Sequence, residues 1–217
     1  MAITLDATFD PSNKWTPIEE GVYPAHITTL SSREMNTRAG EAIIVNMTYK
    51  VNETVSSIEQ PLWEMDGYNY VKDSAGKRIP VMNGDGEQAT ISCSHLKDRM
   101  FYDNGFFIFT DTSSASKNSR YFQLLENLGI KCEDSEGIKK LVLLEEEDVI
   151  GKPVYVTVKR QEYVTKETKH LPYDQQEKRS AFKVSEVKPW KNGPTLSSDE
   201  LEDDVPCLLY TSPSPRD

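Results

Sequence analysis

The chain has 217 residues, a formal net charge of -10 and three cysteines, and its length suits one domain with insertions or a small domain with long arms. No apolar run approaches the roughly 20 residues of a membrane-spanning helix, and the first residues lack the basic start and apolar core of a signal peptide. Because the cysteines are too few for a disulfide scaffold, we expect a protein of a reducing cytosol with no membrane partner.

Strand patterns begin after residue 20. Residues 22–30 are rich in β-forming side chains, and Gly40 precedes a second run at 42–51. In the second run apolar positions recur every two residues, which predicts a half-buried strand. These positions are Ile43, Val45, Met47, Tyr49 and Val51, alternating with Ile44, Asn46, Thr48 and Lys50. We expect the turn between the two strands to span residues 34–40.

Glycines divide the next region, residues 52–118, into short pieces that are rich in aromatic side chains. Residues 72–77 are typical of a hairpin tip between two short strands. We therefore predict an elaborated insertion with one or two hairpins rather than a second domain. Because a run of phenylalanines is more often buried than exposed, we expect Phe106–Phe109 to lie in the core.

Residues 119–129 give the clearest helix signal. Ser119 is a candidate N-terminal cap and Gly129 a candidate C-terminal stop. Apolar side chains at i, i+3, i+4 and i+7 predict the buried face, which consists of Tyr121, Leu124, Leu125 and Leu128. Residues 145–148 predict a short helix or a loop.

The last two strands are predicted at 154–164 and 181–187, joined by a long polar hairpin at 166–179. In the first of them Val154, Val156 and Val158 alternate with polar and aromatic residues. About five strands, with one helix before the last pair, predict a mainly β fold. We expect an OB-fold-like five-stranded barrel with an elaborated insertion, and an open α+β sheet is the alternative.

The charge is uneven along the chain. Residues 1–151 carry 14 basic and 24 acidic side chains, whereas residues 152–191 carry 10 basic and 5 acidic ones, a balance of +5. This asymmetry suggests a polyanion partner, although a solvated sheet face accounts for the same charges. Binding of single strands requires a cationic track together with aromatic rings on which bases stack. The side chains that we predict to contact DNA are Arg33, Arg38, Lys50, Tyr68, Tyr70, Lys72, Lys77, Arg78, Tyr155, Lys159, Arg160, Tyr163, Lys166, Lys169, Lys183 and Lys188.

An acidic run at residues 199–206 ends in a hydrophobic-proline pair. It cannot bury enough apolar surface to fold, so we expect residues 192–206 to be a disordered arm that binds partner proteins and competes for a basic groove. Its partner-binding residues are Asp199, Glu200, Glu202, Asp203, Asp204, Val205 and Pro206. Residues 207–217 match an in-frame translation of a transposase sequencing adapter at every position, so we expect them to be an artefact.

Three features follow one another in order: residues 21–24 before a strand, a helix that ends at Leu128-Gly129, and residues 149–154 before a basic strand. Together with an acidic tip similar to D-D-x-P-F, in which Cys207 replaces the Phe, this order resembles phage single-stranded DNA-binding proteins of the OB-fold type. The resemblance implies a binding domain at 1–191 with an insertion at about 52–118. It implies sequence-independent binding of single-stranded DNA in replication, recombination and repair, in the cytoplasm of an infected bacterial host. The implied partners are replication or recombination proteins that bind the tail, and a homo-oligomer remains open.

We expect neither an enzyme nor a cofactor, because phosphate-loop, nucleophile-elbow and zinc-protease motifs are missing from the sequence. Cys93, His95, Cys132 and His170 are possible zinc ligands, but their spacing is unlike that of a zinc knuckle or ribbon, so we predict no metal site. Two alternatives stay open: a phage structural or assembly protein without DNA binding, and a metal-dependent nuclease that uses acids such as those at 145–148.

Overall fold

The structure, a computed structural model, describes residues 18–66, 69–110, 116–135 and 138–196. Over these ranges the chain is mainly β with antiparallel sheets, which confirms the predicted fold class at this level. The strands are β1 (Gly21–Thr37), β2 (Gly40–Val51), β3 (Glu59–Pro61), β4 (Met65–Asp66), β5 (Asn69–Tyr70), β6 (Thr90–Ser92), β7 (Met100–Tyr102), β8 (Phe106–Phe109), β9 (Glu133–Ser135), β10 (Ile138–Lys140), β11 (Pro153–Val164) and β12 (Lys178–Pro189). The α-helices in these ranges are α1 (Ser119–Asn127) and α2 (Glu146–Val149), neither of which is long and apolar enough to cross a membrane.

The described residues form two compact units. The inserted unit consists of Thr54–Lys97 with Ile18 and Glu19, and the sheet unit consists of Glu20–Glu53 with the described residues from Asp98 onward. Residues 98–110 and 116–118, which we predicted as part of the insertion, belong to the sheet unit by their contacts.

In the sheet unit the strand order is β12-β11-β1-β2-β7, and β8 also pairs with β2. β1 is long enough to serve two neighbours, because its residues 21–26 pair with β11 and its residues 25–37 pair with β2. The chain just after β7 meets β12 as well, through an isolated parallel bridge between Asp103 and Val184.

The core of the sheet unit follows the predicted periodicities. Val154, Val156 and Val158 of β11 are buried, and Val187 and Val184 of β12 lie directly opposite the last two. Full burial of such a side chain contributes about 1.5–3 kcal/mol, enough to fix which face of a strand points inward. The predicted inward residues of β2 and α1 that are buried are Val45, Met47, Tyr49, Val51, Tyr121, Leu124, Leu125 and Leu128.

Three local predictions are wrong. β1 continues to Thr37, so the turn is shorter than 34–40 and consists of Arg38 and Ala39 between Thr37 and Gly40, which are paired. Asn118 rather than Ser119 occupies the N-cap of α1, and its side chain bonds the backbone of Phe109 instead of the helix. In β2 the predicted alternation holds from Val45 to Val51 but fails before it, because Ile44 rather than Ile43 is buried.

The inserted unit contains short strands and, between β5 and β6, two tight turns of the same design. Asp73 Oδ1 accepts hydrogen bonds from the backbone N–H groups of Ala75 and Lys77, and Asn83 Oδ1 accepts them from Asp85 and Glu87. Side chains of Asp and Asn commonly stabilise turns in this way. The hairpin tip predicted at 72–77 is confirmed by the Asp73 N–H···O Lys77 bond of 2.8 Å.

Candidate nucleic-acid interface

A bulge separates β7 from β8 opposite strand β2. Thr48 pairs with Tyr102 and Val45 pairs with Phe106, so the two β2 residues between them lie opposite the three residues 103–105. One extra residue in a strand reverses the side to which every following side chain points. Phe101 and Phe106 are therefore both buried, whereas Tyr102 and Phe107 share the opposite side of the sheet, where Tyr102 is exposed and Phe107 is half-buried.

The outward rings on these strands form what we call the aromatic face: Tyr102, Phe107 and Phe109. Tyr102 is 52% exposed, and the two phenylalanines are half-buried with their ring centroids 6.3 Å apart and their planes 21° apart. Of the run Phe106–Phe109, which we predicted to lie in the core, Phe106 is buried, whereas Phe107 and Phe109 are half-buried. The sequence signal that reveals this face is Asp103-Asn104-Gly105, since Gly in a strand often marks a bulge.

Positive charge lies next to the aromatic face. Lys117 Nζ is 5.4 Å from the centre of the Phe109 ring and donates to the carbonyl of Ala39 in the β1–β2 turn. Arg33 is opposite Ile44, which is opposite Phe107 on the next strand, so Arg33 and Phe107 share one side of the sheet.

Lys159 of β11 and Lys183 of β12 are direct cross-strand partners, and we call them the lysine pair. Lys183 Nζ is 5.6 Å from the centre of the Tyr102 ring. Among the residues that the structure describes, no carboxylate forms an ion pair with either lysine. Like charges directly opposite one another destabilise a sheet, and an anion bound between them removes that repulsion.

Beyond the lysine pair, residues 160–164 of β11 and 178–182 of β12 form a two-stranded ribbon whose side chains are mostly exposed. We call these residues the ribbon. Tyr163 lies opposite Arg179 on the same side as the lysine pair, whereas Arg160 lies on the other side and donates to Ser180 Oγ. At the ribbon's end Lys178, the first residue of β12, donates through Nζ to the hydroxyl of Tyr173 in the adjoining loop, which raises the pKa of Lys178. The predicted contacts Lys166 and Lys169 are exposed in the same loop.

Other predicted contacts lie at different ends of the sheet unit. Arg38 is in the β1–β2 turn, at the opposite end of β1 from the ribbon. Lys50 forms an ion pair with Asp98 at 3.6 Å, and Lys188 forms one with Glu186 at 3.1 Å. The cations predicted from the sequence therefore do not gather into one patch.

The segment after β12 covers a further predicted contact, Tyr155. The ring of Trp190 lies 5.4 Å from that of Tyr155 and 5.9 Å from that of His26, and His26 Nε2 donates to the carbonyl of Pro194 at 2.7 Å. Burial lowers the pKa of His26, as does the charge of Lys50, while the bond to Pro194 opposes this shift.

In the inserted unit the predicted contacts Tyr70 and Arg78 have internal partners. Arg78 forms an ion pair with Glu19 at 2.7 Å, and its guanidinium lies 4.0 Å from the centre of the Tyr70 ring. The hydroxyl of Tyr70 donates to Glu19 as well. Lys72 and Lys77 are exposed at the hairpin tip, and Tyr68 lies outside the described residues, as does the tail at 199–206.

Asp103, in the bulge, is a buried carboxylate that accepts three hydrogen bonds. Oδ2 accepts from the Met47 N–H at 3.1 Å and from the Tyr49 hydroxyl at 3.0 Å, and Oδ1 accepts from the Gly105 N–H at 2.9 Å. Burial raises the pKa of Asp103, and the three hydrogen bonds oppose this rise. Burial and the neighbouring Asp103 charge also raise the pKa of Tyr49 well above its usual value.

In the described part of the chain, no group of three or more His, Cys, Asp or Glu side chains is arranged so that it could hold a metal ion. Cys93 is buried and donates through its thiol to Gln60, and burial raises its pKa. A buried thiol of this kind packs as a small apolar residue.

Comparison with known proteins finds no matching family, no similar curated protein and no similar solved structure.

Proposed function

We propose that this protein binds single-stranded DNA without sequence preference and carries out no catalysis. The observation that carries the proposal is the lysine pair beside Tyr102 on the outward side of the sheet. Two opposed ammonium groups favour a phosphate between them, and an exposed ring next to them offers a base a surface for stacking. Because every base has a flat face and every nucleotide a phosphate, this chemistry does not select sequence.

We further propose that the sheet unit is an OB-type barrel. Three features support this: β1 pairs with both β2 and β11, helix α1 lies between β8 and β11 in the chain, and the bridge between Asp103 and Val184 links β12 to the chain after β7. In such barrels one face of the sheet and the adjoining loops bind oligonucleotides.

The proposed surface has a centre and two ends. The centre is the aromatic face with the lysine pair, the ribbon with Tyr163, Lys166 and Lys169 extends it at one end, and Arg33 and Arg38 extend it at the other. We leave Tyr70 and Arg78 out of this surface, because both already have partners within the inserted unit. Arg78 forms an ion pair with Glu19 and stacks on the Tyr70 ring, and the Tyr70 hydroxyl donates to Glu19.

For the acidic tail we propose the role of a docking arm for replication or recombination proteins, in the cytoplasm of an infected bacterial host. Residues 199–206 carry five carboxylates and no basic side chain. A tail with only negative charge is attracted to basic surfaces on partner proteins, which supports this role.

Fluorescence anisotropy with labelled oligo(dT), and with a duplex of equal length, tests the proposed function. We expect tighter binding of the single strand, equal affinity for a single strand of mixed sequence, and a steep loss of affinity between about 50 and 200 mM salt, because phosphate contacts release counterions. Equal or tighter binding of the duplex would refute the proposal, and so would failure to bind either nucleic acid.

A further inference from the structure

We propose that Asp103 is a positioning residue for DNA binding: it holds the bulge that turns Tyr102 and Phe107 toward the same side of the sheet. The proposal rests on the proposed function, because the platform that Asp103 would assemble is the aromatic face.

The register of the strands shows what the bulge accomplishes. Tyr102 is opposite Thr48, so a regular strand would place Phe106 opposite Ile44 and Phe107 opposite Ile43. Phe106 would then point outward, and Phe107 and Phe109 would point toward the core. With the extra residue, Phe106 is opposite Val45 and buried, and Phe107 is opposite Ile44, on the same side of the sheet as Tyr102. The aromatic face therefore exists only while the bulge does.

The carboxylate of Asp103 is bonded to both sides of the bulge. Oδ2 holds β2 through the Met47 N–H and the Tyr49 hydroxyl, while Oδ1 holds the third residue of the bulge through the Gly105 N–H. Asp103 is only 7% exposed, so each of these donors would lose its partner in a buried place if the carboxylate were removed.

Gly105 completes the bulge for a steric reason. Its φ is +84°, and a Cβ atom there would lie 2.5 Å from Ile44 Cδ1 and 2.8 Å from Asn46 Oδ1. Any other residue would therefore be strained in backbone conformation and would collide with β2. Asp103 and Gly105 together make this bulge specific, although Asp103 is buried and Gly105 has no side chain.

A double-mutant cycle on oligo(dT) binding tests the proposal, with Asp103→Asn and Phe107→Leu as the two changes. An amide has the same shape as the carboxylate, but one of its ends is an NH2 group that meets a backbone N–H whichever way it is turned. We expect each single variant to lose about tenfold in affinity, the order of one stacked base, and the double variant to lose no more than either alone. The salt dependence should stay as in the wild type, because no phosphate contact is removed.

If the affinity losses of the two single variants multiply in the double variant, the proposal is wrong. It is also wrong if a folded Asp103→Asn protein binds oligo(dT) as tightly as the wild type. If Asp103→Asn does not fold, Tyr49→Phe replaces it, since this change removes one of the three bonds and leaves the carboxylate in place. The expectation is then a smaller loss that again does not add to that of Phe107→Leu.

Nuclear Overhauser contacts of the Phe107 ring in the free protein separate this inference from the proposed function. We expect contacts with Ile44 in the wild type and new contacts with Val45 and other core residues in Asp103→Asn. An unmoved ring would overturn the positioning role whatever the DNA results show. A moved ring in a protein that does not bind oligo(dT) would contradict only the proposed function.

Discussion

Among single residues, the lysine pair is expected to destabilise the free protein, because like charges lie on directly opposite residues. Lys159 and Lys183 are direct cross-strand partners, and the described residues supply no carboxylate between them. Two other lysines of the sheet unit form ion pairs, Lys50 with Asp98 and Lys188 with Glu186. A pair of lysines without an ion-pair partner among the described residues, beside an exposed tyrosine, fits the phosphate-binding surface that we propose.

The repulsion within the lysine pair should lower the stability of the free protein. Replacing Lys159 with Gln removes the repulsion, so we expect the free energy of unfolding to rise by about 0.2–1 kcal/mol while affinity for oligo(dT) falls. Urea denaturation monitored by circular dichroism measures the first effect. Lys166→Gln is the control, because Lys166 lies in a loop without a cross-strand neighbour and should leave stability unchanged. A less stable Lys159→Gln protein would show that the lysine pair is not strained.

At the scale of elements, the segment after β12 is fastened to the sheet unit by a small set of contacts. The Leu196 N–H donates to the Gly151 carbonyl, and a Cβ on Gly151 would lie 1.9 Å from the Leu196 carbonyl oxygen, so glycine is needed for this approach. His26 and Trp190 complete the packing. Leu196, the last described residue, is therefore held near the start of β11.

This packing predicts a pH dependence. Because the pKa of His26 is lowered in the folded protein, the unfolded chain binds more protons once the pH falls below the ordinary value of 6.5. The contribution of neutral His26 is thus complete above pH 6.5 and is lost as the pH falls toward the lowered value. We expect urea denaturation at about pH 7.5 and 5.5 to show a loss of stability on acidification.

The matched variant is His26→Gln, whose side-chain amide keeps a donor for the Pro194 carbonyl but does not titrate. Its loss of stability over the same interval should be smaller than that of the wild type. If the two proteins respond equally to acidification, His26 does not titrate in the way its burial indicates.

The elements differ in how far the sequence alone predicts them. β2, β11 and α1 each have one buried face with a regular period, so Val45–Val51, Val154–Val158 and the stripe of α1 were predicted correctly. β7 and β8 were not, because a bulge changes the phase of the pattern and Phe107 looks like a core residue when the period is read without it. The end of β1 was missed for a related reason, since its last residues are exposed on both sides and carry no alternating pattern.

The candidate site was harder to predict than the fold, because it depends on which strands become neighbours. Lys159 and Lys183 were both among the predicted contacts, but only the register of β11 and β12 makes them a pair. Tyr102 was not predicted as a contact, and its proximity to Lys183 follows from the meeting of β7 with β12.

At the scale of the whole molecule, the chain leaves the sheet unit after β2 and returns to the same place. The Val51 N–H donates to the Arg99 carbonyl, and the Asp98 N–H donates to the Val51 carbonyl. The two chain segments that flank the inserted unit are therefore hydrogen-bonded to each other within the sheet unit. The sheet unit thus keeps its strand pairing on both sides of the insertion. We therefore expect the sheet unit to contain the principal DNA contacts.

The assignment of DNA binding to the lysine pair is tested by the slope of log affinity for oligo(dT) against log salt concentration. Three proteins are compared: the wild type, Lys159→Ala/Lys183→Ala, and a control, Lys131→Ala/Lys191→Ala. Lys131 follows α1 and Lys191 follows β12, and both are exposed near the start of β11, away from the lysine pair. Loss of two phosphate contacts should reduce the slope by about 1.4 in the first variant and leave the control at the wild-type value. Equal slopes in all three proteins would contradict the assignment of DNA binding to this face.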